Sequence, residues 1–181
     1  MKNVSGEMGP ASGHAPPPTR LAFIALGSNL GDSVGNIRRA LHRLQALSDQ
    51  PLRASSLWET TPVDCPPGSP RFINAMAGLH PRGDETPESL LEKLQALEVE
   101  FGRRPKNVLN EPRPLDLDLI AFGAEIRATP LLTLPHPRAH QRRFVLAPLA
   151  EIAPELVLPG QTRPVRELLA NLSSEEVVTR Q

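Results

Sequence analysis

Arg113-Pro114-Leu115-Asp116-Leu117-Asp118-Leu119-Ile120 is the stretch on which the fold turns. Leucines at 115, 117 and 119 alternate with acids at 116 and 118, the period-two pattern of a strand with one buried face. The alternation sends the leucines into a core. It sends the two carboxylates out of the opposite, wet face, about 6.5–7 Å apart. Carboxylates that close repel each other, and a hard cation relieves them, since Mg2+ takes one or two carboxylates together with phosphate oxygens. A strand whose solvent face happens to carry acids is the competing reading of this stretch alone.

Outward from this strand, other segments show regular periodicity. Residues 21–26 are an apolar run that reads as a buried strand and stops at Gly27-Ser28-Asn29. Asp32 or Ser33 can cap a following helix whose apolar stripe is Val34, Ile37, Leu41 and Leu44. Residues 52–58 read as a second strand and 72–79 as a third. Thr86-Pro87-Glu88 is a helix start: a cap, proline at the first helical position, an acid in the first turn. Leu90, Leu94, Leu97 and Phe101 share that helix's buried face, and Gly102 ends it. With residues 115–121 as the fourth strand the order is βαββαβ. This is the ferredoxin-like unit of the α+β class, an antiparallel sheet with helices packed on it. Additional C-terminal elements are expected: a short hairpin from 125–126 and 131–133, and helices near 143–151 and 164–171.

Composition narrows the class of function. At 181 residues the chain reads as one domain with a sizeable core. Net charge is zero and the pI is about 7.0, which argues against a nucleic-acid partner. No apolar run approaches the roughly 18–20 residues of a membrane span. The first residues lack the basic-then-apolar layout of a signal peptide. Cys65 is the single cysteine, so no internal disulfide forms, and it reads as an indifferent loop thiol. A cytoplasmic monomer is the expectation. Residues 1–19, rich in Gly, Ser and Pro, read as a disordered tail, and 20–181 as the single folded domain. Prolines cluster again at 62–70, 105–114 and 135–137 inside the folded part, where they mark candidate functional loops.

The chemistry gathers around the acidic pair. Arg103, Arg104, Lys106 and Arg113 precede it, and His136, Arg138, His140, Arg142 and Arg143 follow it. Carboxylates that hold metal, ringed by guanidinium forks, suit a polyphosphate substrate. Gly27-Ser28-Asn29 is either a phosphate cradle at a helix start or a plain structural turn. Phe72 and Asn74 fall on one face of a strand. An aromatic face and a carboxamide suit a flat heterocycle with donors and acceptors on its edge, although a core Phe beside a surface Asn has the same spacing. Aromatics are scarce, with five Phe, one Trp and no Tyr, so a stacking site draws on few residues.

These pieces together resemble the 6-hydroxymethyl-7,8-dihydropterin pyrophosphokinases of folate biosynthesis. The resemblance rests on residues 25–31 (Ala-Leu-Gly-Ser-Asn-Leu-Gly), Phe72-Ile73-Asn74-Ala75, Glu98 with Phe101-Gly102-Arg103, residues 112–119, Leu134-Pro135-His136 and Arg142-Arg143-Phe144. It covers roughly residues 21–160. It implies an enzyme that moves the diphosphoryl group of ATP to the pterin hydroxymethyl group, with two Mg2+ ions as cofactors and AMP as the leaving product. It implies that Asp116 and Asp118 hold the metal. Phe72 and Phe144 then sandwich the pterin, with Asn74 on its edge and Thr60 and Val63 lining the same pocket. Gln95, Glu98, Leu119, Thr133, His136 and Arg142 are implied around ATP. Arg103 and Arg113 engage phosphates and close the site as its catalytic arginines. Three departures stand out. Asn110-Glu111 replaces a common Trp-Gly, Thr61 replaces a common proline, and Leu131 stands where some members carry arginine. Two rival readings are a regulatory module that binds a nucleotide or metal, and a metal-dependent phosphodiesterase. Neither needs the Phe72, Asn74 and Phe144 set.

Overall fold

The computed structural model describes residues 20–62, 68–104 and 111–181. The expectations for residues 1–19, Val63, Cys65 and Asn110 lie outside these. The element order is β1 (Ala22–Ser28), α1 (Ser33–Gln45), β2 (Arg53–Ala54), β3 (Trp58–Thr60), β4 (Phe72–Leu79), α2 (Pro87–Glu100), β5 (Asp116–Phe122), β6 (Arg127–Ala128), β7 (Thr133–Leu134), α3 (Arg143–Ile152), α4 (Val165–Ala170) and β8 (Val178–Arg180). A 3-10 turn at Ala139–Gln141 precedes α3. The main sheet runs β5-β1-β4-β3-β8, with β2 also paired to β4. Its pairings are antiparallel. The architecture is the expected ferredoxin-like α+β fold.

Local chemistry sets the helix starts. Asp32 accepts a hydrogen bond from Gly35 N at 2.9 Å and caps α1. Thr86 and Ser89 form a reciprocal capping box at α2, with Pro87 at its first position. Helices α1 and α2 cover one face of the sheet. Ile37 and Leu44, with Leu90 and Leu94, pack there on Ile24, Leu26, Leu117 and Leu119. Each such aliphatic contributes about 1.5–3 kcal/mol when fully buried, enough to anchor β5 despite the acids on its other side.

The opposite face differs from the expectation of a wet surface. Helices α3 and α4 lie over it, and Phe23, Met76, Ile120, Val145, Leu146, Leu149 and Val165 form a second core. The acidic pair therefore sits at the open end of a buried face. A β-bulge follows the acidic pair. Ile24 pairs Leu119 and Phe23 pairs Ala121, which leaves Ile120 as an extra residue in β5. Ile120 and Ala121 both join the second core, and Phe122 returns to the first.

Three further expectations are corrected. Residues 52–58 do not make one strand. Met76 N donates to Ser55 Oγ at 2.9 Å, so a side-chain oxygen takes a bond of the ladder, and pairing resumes only at Trp58. The hairpin forms at 127–128 and 133–134, because Thr129 Oγ1 and Leu132 close its turn. Strand β8, absent from the sequence reading, extends the sheet beyond β3.

Candidate active site

The cleft opens at the end of the sheet face that α3 covers. Its enclosed part is small, about 90 Å3. Its floor is the backbone of Ala25, Leu26 and Gly27 in β1, flanked by Phe72 and Asn74 of β4 and by Asp116 and Asp118 of β5. Thr60 and Thr61 form one side. Phe144 forms another, with Arg113, Arg138 and Arg142 around it.

Strand register explains the convergence. Gly27 pairs with Asn74 on one side and Asp116 on the other. A Cβ at Gly27 would stand 3.1 Å from Asn74 Oδ1 and 3.7 Å from Phe72 Cδ1. A side chain there would press on the Asn74 amide, which would have to shift by a few tenths of an ångström. Asn74 Nδ2 donates to Thr60 Oγ1 at 2.7 Å, fixing the buried amide. Gly27 and Ser28 are the last residues of β1, paired on the sheet, and not the turn the sequence suggested. Helix α1 uses Asp32 for its first-turn amides, which leaves the phosphate-cradle reading without support. Asn29 has another task. Its Oδ1 accepts from Arg113 N at 2.9 Å, its own N donates to Arg113 O at 3.2 Å, and its Nδ2 reaches Pro70 O at 3.4 Å. This buried amide clips the Arg113 segment to the end of β1.

The charges form two layers around β5. Arg113 Nη2 lies 3.0 Å from Asp116 Oδ2, and Arg103 Nη1 lies 2.9 Å from Asp116 Oδ1. Arg103 also pairs with Glu98. Glu98 is buried, and its Oε1 accepts from Leu117 N at 2.7 Å. Burial pushes its carboxyl up to about 7, against the opposing pull of the Leu117 amide and Arg103. Burial, then the Asp116 charge, raise the Asp118 carboxyl above the usual range, while His136, Arg142 and Arg113 hold it down. His136 is lowered, chiefly by burial, with Asp118 opposing. Arg142 is lowered by burial and by Arg138. Arginine also covers each aromatic ring. The Arg113 guanidinium lies 5.8 Å from the Phe72 centroid and that of Arg142 lies 5.4 Å from Phe144.

The donor set fits Mg2+. Among the described residues no group of three or more His, Cys, Asp or Glu could cage a metal. Two neighbouring carboxylates, one strained by the other's charge, match an ion that completes its shell with substrate oxygens and water.

The structure sorts the expected residues. Thr60, Phe72, Asn74, Arg113, Asp116, Asp118, Arg142 and Phe144 line the cleft. Arg103 and Glu98 stand behind Asp116, and His136 lies beside Asp118. Gln95 and Thr133 are exposed and do not line it. Leu119 turns its side chain into the first core. Arg138, read from the sequence as one of the cations around the acidic pair but given no role of its own, lines the cleft. Arg143 instead turns away to Leu172 O at 3.2 Å. Glu176, which accepts from Phe144 N at 3.1 Å, had no signal at all.

A ferredoxin-like domain with a small-molecule cleft at the open end of one sheet face is the class that fold and cavity define. The profile of the family described as 7,8-dihydro-6-hydroxymethylpterin-pyrophosphokinase (HPPK) matches residues 23–154. The chain belongs to that family. It is 41% identical over 149 residues to the 2-amino-4-hydroxy-6-hydroxymethyldihydropteridine pyrophosphokinase of Pseudomonas aeruginosa, covering 82% of this chain and 89% of that one. It is 37% identical over 158 residues to the Haemophilus influenzae protein of the same name, covering 87% and 96%. A Plasmodium falciparum HPPK-DHPS crystal structure shares the fold with a TM-score of 0.66 at 14% identity, covering 84% of this chain and 44% of that longer one.

Proposed function

We propose that this chain transfers the diphosphoryl group of ATP to the hydroxymethyl group of 6-hydroxymethyl-7,8-dihydropterin in folate synthesis, releasing AMP. It is a 2-amino-4-hydroxy-6-hydroxymethyldihydropteridine diphosphokinase, as its family and named relatives are. The observation that carries the site assignment is the meeting of Phe72, Asn74 and Phe144 with Asp116 and Asp118 in one cleft.

Phe72 and Phe144 hold the pterin rings. Asn74, fixed by Thr60, reads the edge of the heterocycle. Asp116 and Asp118 would hold Mg2+, which would supply charge neutralisation for the triphosphate. Two ions are the number that the resemblance to the family implies. Arg103 and Arg113, now paired with Asp116, are placed to shift onto phosphate oxygens, which offer guanidinium the same forked acceptor geometry. His136 and Arg142 extend the cationic wall. Gln95, Glu98, Leu119 and Thr133 complete the nucleotide side. For Leu119 the contact is through the backbone, since its side chain is in the core.

The pterin hydroxymethyl oxygen attacks the β-phosphorus. The bond from that phosphorus to the α,β-bridging oxygen breaks, and AMP leaves with the electron pair. The hydroxyl proton passes to solvent. Positioning and charge neutralisation carry this reaction, and no side chain is required as a nucleophile. No helix among the described residues is long and apolar enough to cross a membrane.

The test mixes protein, ATP, Mg2+ and hydroxymethyl-dihydropterin and separates the products by chromatography. AMP and pterin diphosphate are expected one-for-one, with little hydrolysis when pterin is omitted. ADP as the sole nucleotide product, or AMP with free pyrophosphate and no pterin conjugate, overturns the assignment.

A further inference from the structure

The first turn of α3 carries Phe144, yet the helix has no cap of its own. Arg142 at the N-cap makes no side-chain capping bond. First-turn amides need acceptors. The one on Phe144 is met from 32 residues away by Glu176 Oε2, at 3.1 Å. A carboxylate at this end also suits the helix dipole. Glu176 is itself held, its N donating to Ser174 Oγ at 3.2 Å.

The next residues grip the other side of the cleft. Thr61 N donates to Val177 O at 3.2 Å, and Val177 N donates to Thr61 Oγ1 at 3.3 Å. Val178 then pairs with Thr60 in the β3–β8 ladder. Farther on, Arg180 Nη2 meets Glu151 Oε1 at 3.0 Å and Arg180 Nε donates to Ser56 Oγ at 2.9 Å. Glu151 belongs to α3 and also accepts from Trp58 Nε1 at 3.1 Å. Residues 174–181 therefore join α3 to the β3 region at both ends. One element bears Phe144 and the other bears Thr60 and Thr61, so the join sets the distance between two walls of the cleft. Residues 174–181 lie beyond the stretch matched by the family profile.

We propose that residues 174–181 are a strap that fixes the width of the aromatic slot, and that Glu176 is a positioning residue for Phe144. The proposal rests on the slot being the pterin site. The experiment measures the Kd of 6-hydroxymethylpterin by fluorescence, with Mg2+ and α,β-methylene-ATP present so that no turnover occurs, alongside melting temperature. Glu176→Ala is expected to raise the Kd about tenfold, equivalent to about 1.4 kcal/mol. Glu176→Gln keeps an acceptor for Phe144 N and should stay within about threefold of the unaltered chain. Arg180→Ala frees the far end and should raise the Kd in the same direction. A strap that serves stability alone would lower the melting temperature and leave the Kd of the folded protein unchanged. That result overturns the proposal, and if Glu176→Ala does not fold, an unchanged Kd in Arg180→Ala overturns it equally. Phe72→Ala separates the two levels. If it too leaves the Kd unchanged, the slot reading has failed. If it weakens binding while the strap variants do not, only the strap has failed.

Discussion

Replacing Asn29 by Ala removes the clip that holds the Arg113 segment, and its cost can be worked from the bonds lost. The backbone bond from Asn29 N to Arg113 O survives. Arg113 N loses its acceptor, now at 2.9 Å, and an unsatisfied partly buried amide costs about 1–3 kcal/mol. The bond to Pro70 O is long at 3.4 Å and contributes a few tenths of a kcal/mol at most, on the order expected for a stretched bond. The sum is about 2 kcal/mol, which for a chain of this size lowers the melting temperature by about 4–8 °C. The larger effect falls on turnover. Arg113 spans Asp116 and the Phe72 ring, and misplacing a reacting geometry by about 1 Å costs on the order of a hundredfold. Turnover should fall about 10- to 100-fold, measured as AMP release at a temperature well below both melting points. Should the melting temperature drop as expected while turnover stays within about twofold, Asn29 serves stability alone and the reasoning is refuted.

The other predictions concern charge and boundaries. Burial holds Glu98 at about 7 against its ordinary 4.5, so the native state binds this proton more tightly than the unfolded chain. Its stabilising contribution is complete below about pH 4.5 and is lost as pH rises through about 7. Across that window the melting temperature of the unaltered chain should fall relative to Glu98→Gln, which keeps an acceptor for Leu117 N; parallel curves would contradict this. Asp116→Asn and Asp118→Ala should each lower turnover at least about a hundredfold with folding intact by circular dichroism, and near-normal rates at saturating Mg2+ would remove the metal assignment. Deleting residues 1–19 should leave activity and melting temperature unchanged within error, and a clear fall in either would give that segment a role.

Legibility followed the range of the interactions. Residues 72–79 and the start of α2 were read correctly because a short apolar run and the Thr86-Pro87 cap act within a few residues. The convergence of Phe72, Asn74, Asp116 and Asp118 was legible because side-chain alternation puts every second residue on one face. What acts across the chain was not. Val178-Thr179-Arg180 has no apolar pattern and becomes a strand by pairing with the edge of β3. Asn29 looked like part of a glycine turn, since nothing nearby announces that its amide reaches Arg113. The acidic face of β5 looked wet because α3 and α4, which cover its far half, come later in the sequence.

The extra residue at Ile120 has a consequence for how such a strand can change over time. On one side of it, Asp116 and Asp118 answer to the ligand; on the other, Ile120 and Ala121 answer to their neighbours in the second core. Exchanges in the acidic half alter chemistry without disturbing the packed half, and exchanges in the packed half leave the acids where they are. The two halves can drift separately. A deletion is different in kind. Losing Ile120 or Ala121 would restore simple alternation and leave Phe122 in the first core, but it would take one of two adjacent side chains out of the second core. A deletion at this point in β5 would thin the second core without turning any remaining residue to the other layer.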